Sequence, residues 1–155
     1  MGKVAFINLS NENFEIREPD PGDIEKFLGG RGLGAKLLYD LVGPEVDPLS
    51  PDNALIFTSG PLVGSPWPAS SRLHVTFKSP LTNAYGYANS GGFLAAELKH
   101  AGYDALVITG RAPKPVVLQI FDRDISLRDA ADLWGATTSQ THELLLGDKA
   151  ESGQG

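Results

Sequence analysis

Short stretches rich in apolar residues predict several β-strands; most are nearly continuous apolar runs, and Leu73–Phe77 alternates with a period of two. The first stretch extends from Val4 to Leu9, and polar turn residues separate it from a hairpin partner at Asn13–Arg17. Five further strands are predicted at Ala54–Phe57, Leu73–Phe77, Ala105–Ile108, Val116–Ile120 and Ile125–Leu127. Long loops are expected between the strands, at Gly60–Ala69 and at Leu81–Ala88.

Apolar residues at helical spacing predict four helices among these strands. They are expected at Asp23–Leu28, at Leu33–Leu41, around Leu94 to Ala101 and at Thr138–Leu146. Helices and strands do not alternate strictly, so the predicted class is α+β. Residues 1–146 are expected to form one domain, and 147–155 a frayed or disordered tail or the start of a linker.

Composition narrows the classes of function. The 155 residues carry a net charge of −6 without a Lys/Arg cluster, which argues against nucleic acid or anionic membrane as a partner. The chain has no cysteine, so it can supply no disulfide, zinc thiolate or iron–sulfur ligand. No apolar run is long enough for a signal peptide or a membrane span, and the expected compartment is the cytoplasm.

The segment Asn89-Ser90-Gly91-Gly92 stands directly before a helical pattern. A helix N-terminus without bulky side chains exposes unpaired N–H groups and the positive end of the helix dipole, which suits a phosphate. Arg72, upstream in the chain, would add a planar set of donors. The alternatives are a simple N-cap at Asn89 or Ser90, and an arginine that only covers apolar surface.

A second glycine-rich segment, Gly30–Ala35, matches G-x-G-x-x-A. That fingerprint binds a dinucleotide only when a strand precedes it, and Ile24–Leu28 is predicted to be helical. The sequence therefore favours a tight helix–helix turn with close packing. Glu97 and Lys99 are predicted on a solvated helix face, and no residue set of the chain suggests a catalytic or metal-ligating side-chain cluster.

Several motifs in one register resemble the N-terminal domain of the aldehyde ferredoxin oxidoreductase family. They are Phe27–Asp40, Asp47–Ser50, Thr58–Leu62, Ser71-Arg72, Lys78–Thr82, Asn89–Gly92, Glu97–Lys99, Ala101–Asp104, Leu127–Ala130 and Leu133–Gly135. The resemblance implies two β-sheets, as a sandwich or pseudo-barrel, with a few helices. It also implies that the rest of the enzyme lies in further domains, so that this chain is one part of a longer protein.

The same resemblance implies a tungsten or molybdenum cofactor whose metal is held by the sulfurs of two pterins. Arg72 matches an arginine between the pterin and a [4Fe-4S] cluster, and Asn89-Ser90-Gly91-Gly92 matches the cofactor-binding turn. Asn89 also matches a contact to the magnesium that bridges the pterin phosphates. The implied reaction is oxidation of an aldehyde to a carboxylate, with electrons passed through the cluster to ferredoxin.

The implied partners are the remaining domains, ferredoxin, the aldehyde and a possible second copy of the chain. The [4Fe-4S] ligands cannot come from a chain without cysteine. Two alternatives stay open at this point. One is a stand-alone, non-catalytic binding or assembly module that kept the fold, and the other is a nicotinamide- or flavin-binding domain.

Overall fold

A computed structural model describes residues 2–151 of the chain. The strands in this range are β1 (Lys3–Asn8), β2 (Asn13–Arg17), β3 (Leu55–Ser59), β4 (Leu73–Lys78), β5 (Tyr85–Ser90), β6 (Tyr103–Thr109), β7 (Val116–Phe121) and β8 (Asp124–Asp129). The helices are α1 (Pro21–Phe27), α2 (Gly30–Leu41), α3 (Leu94–His100) and α4 (Thr138–Glu151). The predicted α+β class is confirmed.

Two sheets form, as the resemblance implies. The larger has the strand order β2-β1-β6-β3-β4-β5, with β1 and β6 parallel and every other neighbouring pair antiparallel. The smaller is the antiparallel hairpin of β7 and β8. None of the helices among residues 2–151 has the length and apolar character needed to span a membrane.

The large sheet is covered on both faces. On one face, Leu33 and Leu38 of α2 pack with Ile56 and Val107 of the central strands. The other face buries a second cluster, which contains Leu98 of α3 and apolar residues of the β7–β8 hairpin. Burial on both faces explains why the central strands are so apolar, and it fixes their register.

Two glycines in the first part of α2 serve close packing, as the sequence indicates. A Cβ at Gly32 would lie 2.4 Å from the carbonyl oxygen of Phe27, and one at Gly34 would lie 2.7 Å from Thr76 Oγ1. The element before Gly30 is α1, a helix. A dinucleotide fingerprint requires a strand at that place, so the segment does not have that context.

The predicted loop at Leu81–Ala88 is wrong in its second half, because β5 begins at Tyr85 and pairs along β4. This strand lies at the sheet edge and has little apolar character, so its sequence gives no alternating signal. Gly86 is required at its position, since a Cβ there would lie 2.7 Å from the Phe77 ring. The strand thus contains a glycine that sequence rules associate with loops.

Helix α4 continues past its predicted end at Leu146 and reaches Glu151. The predicted tail at 147–155 therefore overlaps the helix, and its last residues, 152–155, lie outside the described residues. The assignment of 1–146 as one domain stays a prediction.

Lys78 is nearly buried, and its Nζ donates hydrogen bonds to the carbonyl oxygens of Pro44 (2.6 Å) and Val46 (2.7 Å). We expect Lys78→Met to lower the free energy of unfolding by about 2 kcal/mol, because two carbonyl groups lose their donor. Urea denaturation measures this loss. Lys26→Met, at an exposed position of α1, is the control, and equal effects of the two changes would contradict the account.

Candidate functional site

An open groove lies at one end of the large sheet, where β3 and β5 end and β4 begins. Its volume is about 350 Å³. The start of α2, the connection from β3 to β4, and the adjoining ends of β4 and β5 form its walls. The lining residues are Gly30, Arg31, Gly60, Pro61, Leu62, Val63, Ser70, Arg72, His74 and Asn89.

The charge of this groove is opposite to the charge of the chain. Arg31 and Arg72 line it, and no aspartate or glutamate does. The whole chain has 19 acidic residues against 13 Lys and Arg. A pair of arginines without carboxylates, in an acidic protein, creates a local positive potential that favours an anionic ligand.

Arg72 and Asn89, two of the predicted site residues, come together in this groove. Arg72 directly precedes β4, is exposed, and has no hydrogen bond or ion pair with any residue in 2–151. Asn89 lies near the end of β5 and pairs across the sheet with His74. The guanidinium of Arg72 therefore has its donors available for a ligand or another domain.

The other predicted site residues are Ser90, which ends β5, and Gly91 and Gly92, which form an exposed turn directly after it. The Ser71 hydroxyl donates a hydrogen bond to the Gly92 carbonyl, which ties the turn to the segment that carries Arg72. Within residues 2–151, the backbone N–H groups of Gly91 and Gly92 donate to no protein acceptor. The turn thus presents unpaired donors at the same end of the sheet as the groove.

The two glycines differ in what requires them. Gly92 has a φ of +98°, a conformation that side chains rarely adopt. Gly91 lies outside the left-handed region, and no atom lies within 4 Å of the Cβ it lacks. Neither backbone conformation nor packing within residues 2–151 requires a glycine at position 91. The open space beside it would allow a ligand or another domain to approach the backbone closely.

The turn is not the start of a helix, and this prediction is wrong. Asn89 and Ser90 belong to β5, while α3 begins at Leu94 and has Phe93 as its N-cap, without a side-chain cap hydrogen bond. The helix has only seven residues. Donors for an anion would therefore come from the amide groups of the turn and from the arginines, rather than from a helix dipole.

Sequence reasoning did not single out His74, Tyr87 or Arg31 at this site. His74 is buried and accepts or donates hydrogen bonds with Asn89 Oδ1 (2.8 Å) and the Tyr85 hydroxyl (3.2 Å). Its ring stacks on Tyr87, and the Arg31 guanidinium lies 4.1 Å from the centre of the same Tyr87 ring. These residues could have been recognised only from the pairing of β4 with β5, and the sequence predicts a loop where β5 lies.

Lys99 is not on a solvated face as predicted. Its Nζ lies 2.5 Å from Oδ1 of the fully buried Asp104 and donates to the carbonyl oxygen of Gly60, 3.2 Å away. Gly60 lines the groove, so this ion pair fixes one of its walls against α3 and β6. The Gly2 backbone N–H donates to the second carboxylate oxygen, at 2.7 Å.

Residues 2–151 contain no group of three His, Asp or Glu side chains that could hold a metal ion. Cysteine is absent from the whole sequence. The groove offers instead arginine guanidinium groups and one asparagine amide, and the turn after Asn89 adds unpaired backbone N–H groups; together these can donate to the oxygen atoms of an anion.

The model of the aldehyde ferredoxin oxidoreductase N-terminal domain matches residues 4–154. The chain belongs to this family. A tungsten-containing aldehyde ferredoxin oxidoreductase of Pyrococcus furiosus is 47% identical over 144 residues, which cover 93% of this chain and 24% of that protein. A protein of the same description from Thermococcus kodakarensis is 44% identical over 93% of this chain and 24% of its own length.

The fold also matches a solved structure. The active site complex BamBC of benzoyl coenzyme A reductase, in complex with 1,5-dienoyl-CoA, superposes with a TM-score of 0.92 at 40% identity. The match covers 99% of this chain and 23% of that one. The present chain thus spans about a quarter of the length of these relatives and of the solved chain.

Proposed function

We propose that this chain is the cofactor-binding N-terminal domain of a tungsten- or molybdenum-dependent aldehyde ferredoxin oxidoreductase. The complete enzyme would oxidise an aldehyde with water to a carboxylate and pass two electrons through a [4Fe-4S] cluster to ferredoxin. The activities for which the relatives are named support tungsten and the aldehyde, and the family match supports the role of the domain.

The observation that supports the proposal most strongly is the positively charged groove next to a turn of two glycines. Arg31 and Arg72 supply charge without a competing carboxylate, and Gly91 leaves open space beside its backbone. A pterin cofactor with phosphate groups needs these features, namely fixed N–H donors, cations and room for close approach. The donor set of the groove therefore fits the cofactor that the family implies.

Each residue has a distinct part in this proposal. The N–H groups of Gly91 and Gly92, with Asn89 and Ser90, would hold the phosphate end of the cofactor, and an oxygen atom of Asn89 would contact the magnesium that accompanies it. Arg72 would hold the pterin edge on the side of the iron–sulfur cluster. The cofactor supplies the redox-active metal, held by its own sulfurs, so these residues only bind and orient it.

Other parts of the enzyme must come from further domains. The cluster ligands are cysteines in the proposal, and this chain has none. Ferredoxin, the aldehyde and a second copy of the enzyme are proposed partners, and the cytoplasm is the proposed compartment. Exposed large apolar residues beside the site, such as Leu62, Trp67 and Phe93, are consistent with a surface that neighbouring domains cover.

Gly91→Ala in the complete enzyme tests the proposal. The added methyl group meets no atom of residues 2–151, so we expect an unchanged melting temperature. It would obstruct the phosphate, however, and we expect tungsten or molybdenum and pterin content to fall about tenfold, the equivalent of one charge-assisted hydrogen bond. Metal analysis by mass spectrometry and pterin fluorescence after oxidation measure the two contents.

Gly43→Ala is the matched control, because it lies beyond the far end of α2 and the nearest atoms to its Cβ would be the movable carboxylate of Glu45 and, at 4.0 Å, a methyl group of Val46. We expect full cofactor content in this variant. Full content in Gly91→Ala as well would contradict the proposed site.

A different substrate is the second candidate, since one relative is a benzoyl coenzyme A reductase component and another is an aliphatic sulfonate oxidoreductase subunit. The latter is 34% identical over 94% of this chain. Assays of the complete enzyme with aldehydes, benzoyl-CoA and alkyl sulfonates separate these candidates. Turnover of an aldehyde alone would support the first proposal.

A further inference from the structure

We infer that Arg31 binds a phosphate group of the cofactor directly, and that Tyr87 is the positioning residue that anchors Arg31 at the groove. The inference rests on the proposed function, which uses Arg31 only as a source of positive charge, and it adds a contact and the residue that supports it. The observation behind it is the Arg31 guanidinium carbon, which lies over the Tyr87 ring, 4.1 Å from its centre, at the wall of the groove.

The start of α2, which carries Arg31, has a fixed place on the large sheet. The hydroxyl of Thr58, a fully buried residue of β3, donates a hydrogen bond to the Gly30 carbonyl oxygen at 2.9 Å. Further along the helix, a Cβ at Gly34 would lie 2.7 Å from Thr76 Oγ1, so the helix and β4 are in close contact. Arg31 therefore extends from a backbone that buried contacts hold in place, and its side chain reaches the edge strand β5.

The donors of Arg31 have no acceptor in the described part of the chain. Within residues 2–151, its guanidinium makes no hydrogen bond or ion pair, and no aspartate or glutamate lines the groove. A guanidinium remains charged at every pH of interest and has five N–H donors, of which a ring contact can occupy only a part. The side chain is thus held at the groove wall with N–H groups available for an anion.

Within residues 2–151, a second arginine over an aromatic ring shows what such a guanidinium can bind. Arg17, on β2 at the opposite edge of the large sheet, lies 4.5 Å from the centre of the Phe6 ring. Its Nε and Nη2 donate to the two carboxylate oxygens of Glu15, at 2.6 and 2.7 Å. Arg31 has the same kind of ring contact without the carboxylate, and a phosphate offers the matching pair of oxygen atoms.

The neighbours of Tyr87 place Arg31 on the Asn89 side of the groove. The His74 ring contacts both residues, since it stacks on Tyr87 with 5.7 Å between ring centres and its Nδ1 lies 2.8 Å from Asn89 Oδ1. Tyr87 and Asn89 therefore share one face of β5, two positions and about 7 Å apart. Because the proposed function assigns the phosphate end of the cofactor to Asn89 and the turn after it, the group that Arg31 contacts is a phosphate rather than the pterin.

Tyr87 contributes by holding Arg31 in place before the ligand arrives. A long side chain that is free in solvent loses rotamer freedom when it binds, and a contact already present in the free protein reduces that cost. Tyr87 is 50% exposed, and arginine–ring contacts at exposed sites are weak. We therefore expect the ring to improve affinity by about two- to fivefold, less than the contact of Arg31 itself.

The first test measures the tungsten or molybdenum and pterin content of the complete enzyme in variants at the two positions. Arg31→Ala should lower the content about tenfold, the equivalent of one charge-assisted hydrogen bond. Tyr87→Leu should lower it about two- to fivefold, whereas Tyr87→Phe keeps the ring and should retain most of the cofactor. In the Arg31→Ala background, Tyr87→Leu should cause no further loss, since Tyr87 acts through Arg31.

Arg17→Ala is the matched control, because it removes another arginine–ring pair at the opposite edge of the sheet. We expect full cofactor content in this variant. Equal content in Arg31→Ala and Arg17→Ala overturns the phosphate contact, and a lower melting temperature of Arg31→Ala with full content assigns Arg31 to another domain instead. Equal losses in Tyr87→Phe and Tyr87→Leu overturn the anchoring role of the ring.

Failure of this inference and failure of the proposed function give different results. Loss of cofactor in Arg72→Ala and Gly91→Ala, with full content in Arg31→Ala, overturns only the role of Arg31. Full content in all three variants overturns the proposed function.

The second test needs no substitution and no cofactor. Phenylglyoxal modifies accessible arginines, and peptide mass spectrometry of the unaltered 155-residue chain, with and without inorganic pyrophosphate, reports the modification of each one. We expect pyrophosphate to slow the modification of Arg31 and Arg72 but not of Arg111, which is exposed at the opposite end of the sheet. Protection of Arg72 alone, or equal behaviour of Arg31 and Arg111, overturns the inference even if the Arg31 variants fail to fold.

Discussion

Arg72→Ala is expected to lower the tungsten or molybdenum and pterin content of the complete enzyme by tenfold or more. The Arg72 guanidinium lies at the groove, is exposed and has no protein partner in residues 2–151, so its donors are free for an anion. Hydrogen bonds to charged groups contribute about 1.5–3 kcal/mol, which corresponds to roughly ten- to hundredfold in affinity. Metal analysis of anaerobically purified enzyme gives the result.

The chain offers a matched control for this change. Arg111 is also exposed, lies in a loop and has no side-chain partner within the described residues, but it follows β6 at the opposite end of the sheet from the groove. We expect Arg111→Ala to keep its cofactor. Equal cofactor content in the two variants would show that the Arg72 side chain does not contribute to binding.

Lys99→Met is expected to have the largest effect on stability, about 3–5 kcal/mol lower free energy of unfolding. Removal of one partner of a buried ion pair leaves the other charge uncompensated, and Asp104 is fully buried. The carboxylate would keep only the Gly2 backbone N–H as a donor, of the partners described here. Urea denaturation of the chain measures the loss.

Two comparisons make this prediction specific. Lys114→Met breaks an exposed pair with Asp129 and should cost less than about 1 kcal/mol. The double variant Lys99→Met/Asp104→Leu removes both charges and should be more stable than Lys99→Met alone. If Lys99→Met is no more destabilising than Lys114→Met, the ion pair does not fix the groove wall at Gly60.

The sequence predicts correctly those strands and helices whose buried faces contain several apolar residues. β1 and β6 are largely continuous apolar runs because both sheet faces are covered, by helices or by the small hairpin, and β4 alternates. The role of Gly32 and Gly34 in close packing was also confirmed. β5 is not predicted because its tyrosine, glycine and asparagine residues, at the edge of the sheet, do not form an apolar pattern.

The site was predicted only in part, for a related reason. Motif residues identified Arg72 and Asn89, and both line the groove. His74 was not recognised because its contacts with Tyr87 and Asn89 depend on the pairing of β4 with β5. The sequence predicts Lys99 on a solvated face because its partner, Asp104, becomes a neighbour only through the turn between α3 and β6.

A crystal structure of the complete, anaerobically purified enzyme tests the central claim most directly. The account predicts that a cofactor phosphate accepts hydrogen bonds from the turn at Asn89–Gly92, and that the Arg72 guanidinium contacts the pterin. A structure in which the pterin phosphates lie away from this groove, and only protein atoms approach Gly91, would contradict it.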